Sequence, residues 1–377
     1  MRVEKVEAEI EILPGPPSKQ KASGVIQRFI NERILKTLLM PLGSIIMALG
    51  IIAIPLLMID VNPLFVYRSL MAGAFGNLYA IGQVLQRSTP LIFTGLSFAF
   101  AWKAGLFNVG AQGQLIWGGL GAVWFALTFT SLPLPPFIHI TLAILVGMLA
   151  GGLWGIIPGL MRAYLGISEV ITTIMLNFIA GYGSLLIYGG PLLDEGAPFA
   201  TTAFIPKSTE LPFIIQGTRL HVGYIIALIS AIFVLFFLTR TVKGFQIRIV
   251  GANPNAARYS GVPVQENQIL ALTISGTLAG LGGAIEVLGV THRIGTGWTS
   301  NWGFLGIAVS LMAQNHPLGI PFSAAFFGIL EAGSNHMQAV TGVPGSLIFL
   351  IQGLPVLLMI VASSRRFYKL FRIGRTP

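Results

Sequence analysis

Cysteine is absent from all 377 residues. Disulfides, thiolate metal sites and cysteine nucleophiles are therefore excluded. Charge is scarce, at 10% of the chain against about 25% in soluble domains. His221, His292, His316 and His336 are scattered, with no pair at a convincing metal-ligand spacing. The sequence thus points to no metal site, and no His/Asp/Glu constellation suggests a membrane-embedded enzyme. No G-x-x-x-x-G-K-[ST] loop occurs, so ATP cannot be held by that route.

What fills the chain is apolar: 54% of its residues are hydrophobic. Runs of ~20 such residues recur, as a helix crossing ~30 Å of hydrocarbon requires. A β-barrel would instead show short alternating segments. The expectation is an all-α polytopic membrane protein with about ten transmembrane helices. Their approximate ranges are 37–58, 88–106, 113–131, 136–161, 168–190, 222–240, 267–290, 303–315, 320–338 and 343–363. The eighth is short for a straight crossing. Residues 1–35 read as a cytoplasmic tail, with a short amphipathic surface helix at 25–35. The tail lacks the early apolar core and cleavage pattern of a secretory signal peptide. Residues 36–365 form the membrane domain, and 366–377 a basic cytoplasmic tail.

Threading these spans with the N-terminus inside leaves only Arg68, Arg87, Lys207, Arg219 and Arg293 on the outer side, five of the 23 basic residues. The positive-inside rule then places both termini in the cytoplasm of a cell-membrane protein. The net charge of +10 faces anionic lipid rather than nucleic acid. The longest outer loop is 191–221, and the longest inner loop is 241–266.

That inner loop holds a polar stretch, "GANPNAARYSG" (251–261). Asn253 is a favoured N-cap and Pro254 suits the first helical position. Asn255, Ala256, Ala257, Arg258 and Tyr259 can continue the helix. Gly261 can close it in the left-handed conformation, and Pro263 prevents resumption. Two turns are too few for stability alone in water, so a partner surface would explain the helix. A plain inner loop with a helical turn is the other reading.

"NAARYSG" (255–261) resembles the EAA-x-x-x-G coupling motif of ABC importer permeases, with Asn255 where many have Glu. "TPLIFTGLSFAFAWKAGLFNVGAQGQL" (89–115) and "SEVITTIMLNFIA" (168–180) resemble segments of the ribose and nucleoside permease family, nearest its nucleoside branch. Gln112 stands where that family often has Glu. The resemblance covers about 36–365 and implies the permease fold of the vitamin B12 and ribose importers. It implies a homo- or heterodimer of permease subunits, two cytosolic ATPase subunits that carry ATP and Mg, and an extracytoplasmic solute-binding protein. Residues 253–259 and Gly261 would couple to the ATPase, with Ala257 allowing close approach to its groove. This chain would carry no cofactor of its own.

Ionisable groups inside a membrane are expensive and usually functional or paired. Glu286 and Glu331 qualify as translocation-path candidates, and a packing role stays open for both. Glu169 fits a helix-dipole partner as well as a gate element. "FNVGAQGQ" (107–114) is polar between two apolar runs. Broken helices at membrane depth often line cavities. Asn108, Gln112 and Gln114 could hydrogen-bond a neutral polar solute, or satisfy a buried turn. Trp117, Asn177 and Asn335 are further candidates. The leading expectation is a nucleoside importer permease. The alternatives are a simple-sugar or riboflavin permease, or an ion-coupled secondary transporter using the buried acids.

Overall fold

The computed structural model describes residues 42–130, 134–344 and 346–363. The two expected tails and the 25–35 surface helix lie outside these residues. Among them the chain is helical: α1 (Leu42–Met58), α2 (Pro63–Phe75), α3 (Leu78–Lys103), α4 (Ala111–Thr128), α5 (Pro136–Leu165), α6 (Glu169–Tyr188), α7 (Gly223–Arg240), α8 (Val242–Ala252), α9 (Pro254–Tyr259), α10 (Val264–Glu286), α11 (Trp302–Met312), α12 (Ile320–Thr341) and α13 (Leu347–Ser363). A π-turn, Val287–Thr291, extends α10.

Each expected span coincides with a helix, with two differences. The second begins ten residues early, at Leu78, because Gln83, Gln86 and Arg87 dilute its hydropathy. α2 was not expected; it follows α1 at a bend of 118°. By length and hydropathy alone, α5, α6, α7 and α10 with its π-turn can cross a membrane, as can the α1–α2 pair taken together. α11 is half a span, 11 residues long. The expectation that put Arg87 in a loop is corrected: it lies inside α3.

Local chemistry sets the helix ends. Asn62 caps α2 ahead of Pro63, accepting from Leu64 N at 2.9 Å. Asn77 caps α3 through Ala80 N at 2.8 Å. Gly166 and Gly342 close α5 and α12 with φ of 65° and 69°.

α10 is the central post, packed on α3, α4, α5 and α8. Its Gly276 and Gly280 face Gly147, Gly151 and Gly155 of α5. A Cβ on Gly151 would lie 2.6 Å from the Gly276 carbonyl oxygen. Small residues thus bring the two backbones into contact, the usual device where lipid offers no hydrophobic drive between helices. Outward faces of α1 and α6 carry exposed Ile46, Ile54, Phe178 and Leu186, as a lipid-facing or subunit-facing surface requires.

Two segments break the helical pattern. Residues 104–110 run from the end of α3 to the start of α4, and 292–301 run from the π-turn to α11. The long 189–222 connection is knitted to the second of these. Thr202 N donates to Ile294 O at 2.8 Å, and Ile205 N to His292 O at 2.9 Å.

Candidate functional site

The coupling stretch folds as its capping signals require. Asn253 Oδ1 accepts from Asn255 N at 3.0 Å and from Ala256 N at 3.1 Å. Gly261 takes φ 75° and ends the helix. α8, which the sequence reading did not separate from the loop, carries α9. Its Gly251 lies against Lys103 O and Gly105 N, where no Cβ fits. Gly105 itself needs the left-handed region, at φ 74°.

Asn255, Ala256, Arg258 and Tyr259 point away from the protein, with Tyr259 94% exposed. Ala257 does the opposite, and its expected partner-facing role is corrected. It is 0% exposed and packs with Val250 and Val264. One side of so short a helix must be buried on its own protein to hold it in place.

From this bolt the chain enters the 104–110 segment, and the amides of "FNVGAQGQ" tie it to the centre. Asn108 Nδ2 donates to Gln114 Oε1 at 2.8 Å and to Ser275 Oγ at 2.7 Å, at the midpoint of α10. Ser275 Oγ in turn donates to Ser97 O at 2.7 Å. Gly113 N donates to Asn177 Oδ1 at 2.8 Å, while Asn177 Nδ2 donates to Val109 O at 2.9 Å. Glu169 accepts from Phe107 N at 3.3 Å and pairs with Arg162 at 3.3 Å, pinning the same segment to α5 and α6.

Gln112 makes the longest connection. Its Oε1 accepts from Gly303 N at 2.8 Å, and its Nε2 donates to Thr299 Oγ1 at 2.9 Å. The N-terminal turns of α4 and α11 therefore meet, each end satisfied by a neutral amide. Helix N-termini leave orphan N–H groups, and carboxamides supply acceptors without fixing a charge there. Trp117 stacks on Trp154 at 4.7 Å, and neither indole nitrogen has a hydrogen-bond acceptor among the described residues.

Two acids, from α10 and α12, meet α3 elsewhere. Arg87 pairs with Glu331 at 3.7 Å, and Gln86 Nε2 donates to Glu286 Oε1 at 3.3 Å. Glu286 is 2% exposed, and its Oε2 has no hydrogen-bond partner among the described residues. One guanidinium thus serves a neighbourhood of two carboxylates. Asn335 lies one turn beyond Glu331, in a cavity of about 450 Å³ shared with Asn77, Tyr79, Gln83 and His336. Sequence reasoning missed Gln86 and Arg87. Their signal was present, two polar residues at the front of an apolar run, but it marked a loop rather than the partners of two acids.

Apolar helices long enough to cross a membrane, gathered round a glycine-packed central post, define a multi-pass membrane protein. The chain belongs to the family described as the branched-chain amino acid transport system / permease component, whose pattern matches residues 80–362. It is 38% identical to the guanosine ABC transporter permease protein NupP of Bacillus subtilis over 336 residues, covering 88% of this chain and 94% of that protein. It is 36% identical to the nucleoside ABC transporter permease protein NupB of Lactococcus lactis, over 85% of this chain and 89% of that one. The glucose ABC transporter permease protein TsgB13 of Haloferax volcanii is 28% identical, over 89% of each chain. No solved structure gives a significant match.

Proposed function

We propose that this protein is a nucleoside importer's membrane subunit, moving solute by alternating access while separate cytosolic ATPase subunits bind ATP and Mg. The observation that carries this reading is the high identity to two nucleoside or guanosine permeases across most of each chain. The surface of α9 supports the ATPase arrangement: a capped helix held by Ala257 presents Asn255, Arg258 and Tyr259 to a partner. A second permease subunit and an extracytoplasmic solute-binding protein complete the assembly. The α8–α9 end is cytoplasmic, as the distribution of Lys and Arg supports.

The solute is neutral and polar. Amides and aromatic rings suit a flat base with a hydroxylated sugar. Asn108, Gln112, Gln114, Trp117, Asn177, Glu286, Glu331 and Asn335 remain the path candidates, with the first three also holding the broken segment in place.

The test is uptake by the reconstituted importer, with its ATPase subunits and binding protein, of labelled guanosine, uridine, glucose and riboflavin. ATP-dependent accumulation of nucleosides alone is the expected result. Accumulation of glucose or riboflavin without nucleosides would overturn the reading. Nucleoside accumulation without ATP, driven by an ion gradient, would do so equally.

A further inference from the structure

At the end opposite α9, the 189–222 connection and the 291–298 segment line an open cavity of about 600 Å³. That size lies within the ~300–1,000 Å³ range of small-molecule sites. Its walls include Phe199, Thr201, Thr291, Arg293, Thr296 and Trp298. The Trp298 ring packs over Gly119 of α4, where a Cβ would collide. The next residue, Thr299, holds Gln112. The cavity therefore opens directly above the meeting point of α4 and α11.

Thr201 and Thr291 line it with their hydroxyl oxygens buried, so the charged group at its surface is Arg293. The Arg293 guanidinium rests over the Phe204 ring, 4.5 Å from its centroid. The ion pairs among the described residues are Arg87–Glu331 and Arg162–Glu169, so no carboxylate holds Arg293. A charged fork with free donors calls for a ligand with acceptors. A phosphate site would gather further cations or a cluster of backbone N–H groups. Here aromatic rings flank a single guanidinium. The matching ligand presents two adjacent acceptors on the edge of a flat ring. The O6/N7 edge of a 6-oxopurine is that pair, and arginine reads it in a bidentate manner. Adenine offers a donor at the 6-position instead.

We propose that this cavity is a subsite for a 6-oxopurine nucleoside, its base against Trp298 and its O6/N7 edge on Arg293. The proposal rests on the nucleoside reading above and adds a base preference located in the membrane subunit.

The test uses the complete importer in proteoliposomes, with the binding protein fully loaded with inosine or with adenosine so that its own affinity drops out. The wild type should move inosine faster than adenosine. Arg293→Met should lower inosine uptake about tenfold, the size of one lost bidentate contact. Adenosine uptake should change little, so the ratio approaches one. Trp298→Ala should lower both, and Trp298→Phe should recover most of the rate, which separates stacking from misfolding. Wild-type selectivity in Arg293→Met would overturn the subsite. So would equal loss of both solutes together with loss of stimulation by the binding protein, which would make this face a docking surface. If the wild-type importer moves sugar and no nucleoside, the functional reading itself falls. Nucleoside import that is indifferent to these substitutions removes the subsite alone.

Discussion

Ala257 and Tyr259 stand two residues apart and face opposite ways, which separates folding from coupling in one short helix. Glutamate at 257 would bury an unpaired charge against Val250 and Val264, at a cost on the order of several kcal/mol. Ala257→Glu should therefore lower membrane abundance of the folded subunit. Tyr259→Ala or Arg258→Glu should leave abundance normal and weaken capture of the ATPase subunits; quantitative blotting beside co-purification measures both. Equal loss of abundance in all three would mean that the exposed face is structural. The acids differ in the same way. In Glu286→Gln the amide oxygen can still accept from Gln86, so the thermal midpoint should hold while uptake falls if the residue lines the path. Arg87→Met strands Glu331, removing one partner of a largely buried pair. It should lower the midpoint, as an uncompensated charge does. Normal uptake by Glu286→Gln would return that residue to packing.

At the scale of elements, the short helix α9 was legible in the sequence and its seat was not. Asn253, Pro254 and Gly261 are local signals, read within a few residues. The seat depends on Gly251 meeting Gly105, residues far apart in the chain whose closeness leaves no periodic mark. α3 was misread at its start for a related reason. Gln83, Gln86 and Arg87 look like a loop until Glu286 and Glu331 arrive from α10 and α12. The amides of 107–114 were singled out correctly as a break, yet their partners Ser275, Thr299 and Gly303 had no signature of their own. Together these contacts join α8 to the 104–110 segment, and that segment to the start of α11. Gly251→Val should disturb this joint alone. The exposed face of α9 would be intact, so ATPase capture should stay near wild type while solute-stimulated hydrolysis and uptake fall together. Wild-type uptake by Gly251→Val, at normal abundance, would show that the joint carries no motion.

For the whole molecule, α9 and the aromatic cavity should lie on opposite sides of the membrane. α10 with its π-turn spans Val264–Thr291, 28 residues. At 1.5 Å per residue it is ~40 Å long, enough to cross the hydrocarbon core. α9 precedes its first residue, and the Thr291–Trp298 wall of the cavity follows its last. The distribution of Lys and Arg predicts the direction: the end carrying Lys103, Lys243, Arg248 and Arg258 should face the cytoplasm. The absence of native cysteine makes this directly testable, since one introduced thiol is the only thiol. Ser260 and Thr296 are both exposed. Ser260→Cys should react with an impermeant maleimide in inverted vesicles and stay silent in intact cells. Thr296→Cys should show the reverse. Labelling of both from one side would break the assignment of α10 as a crossing helix. A full reversal would keep the crossing but put α9 on the side without ATP, which no ATPase-coupled mechanism survives.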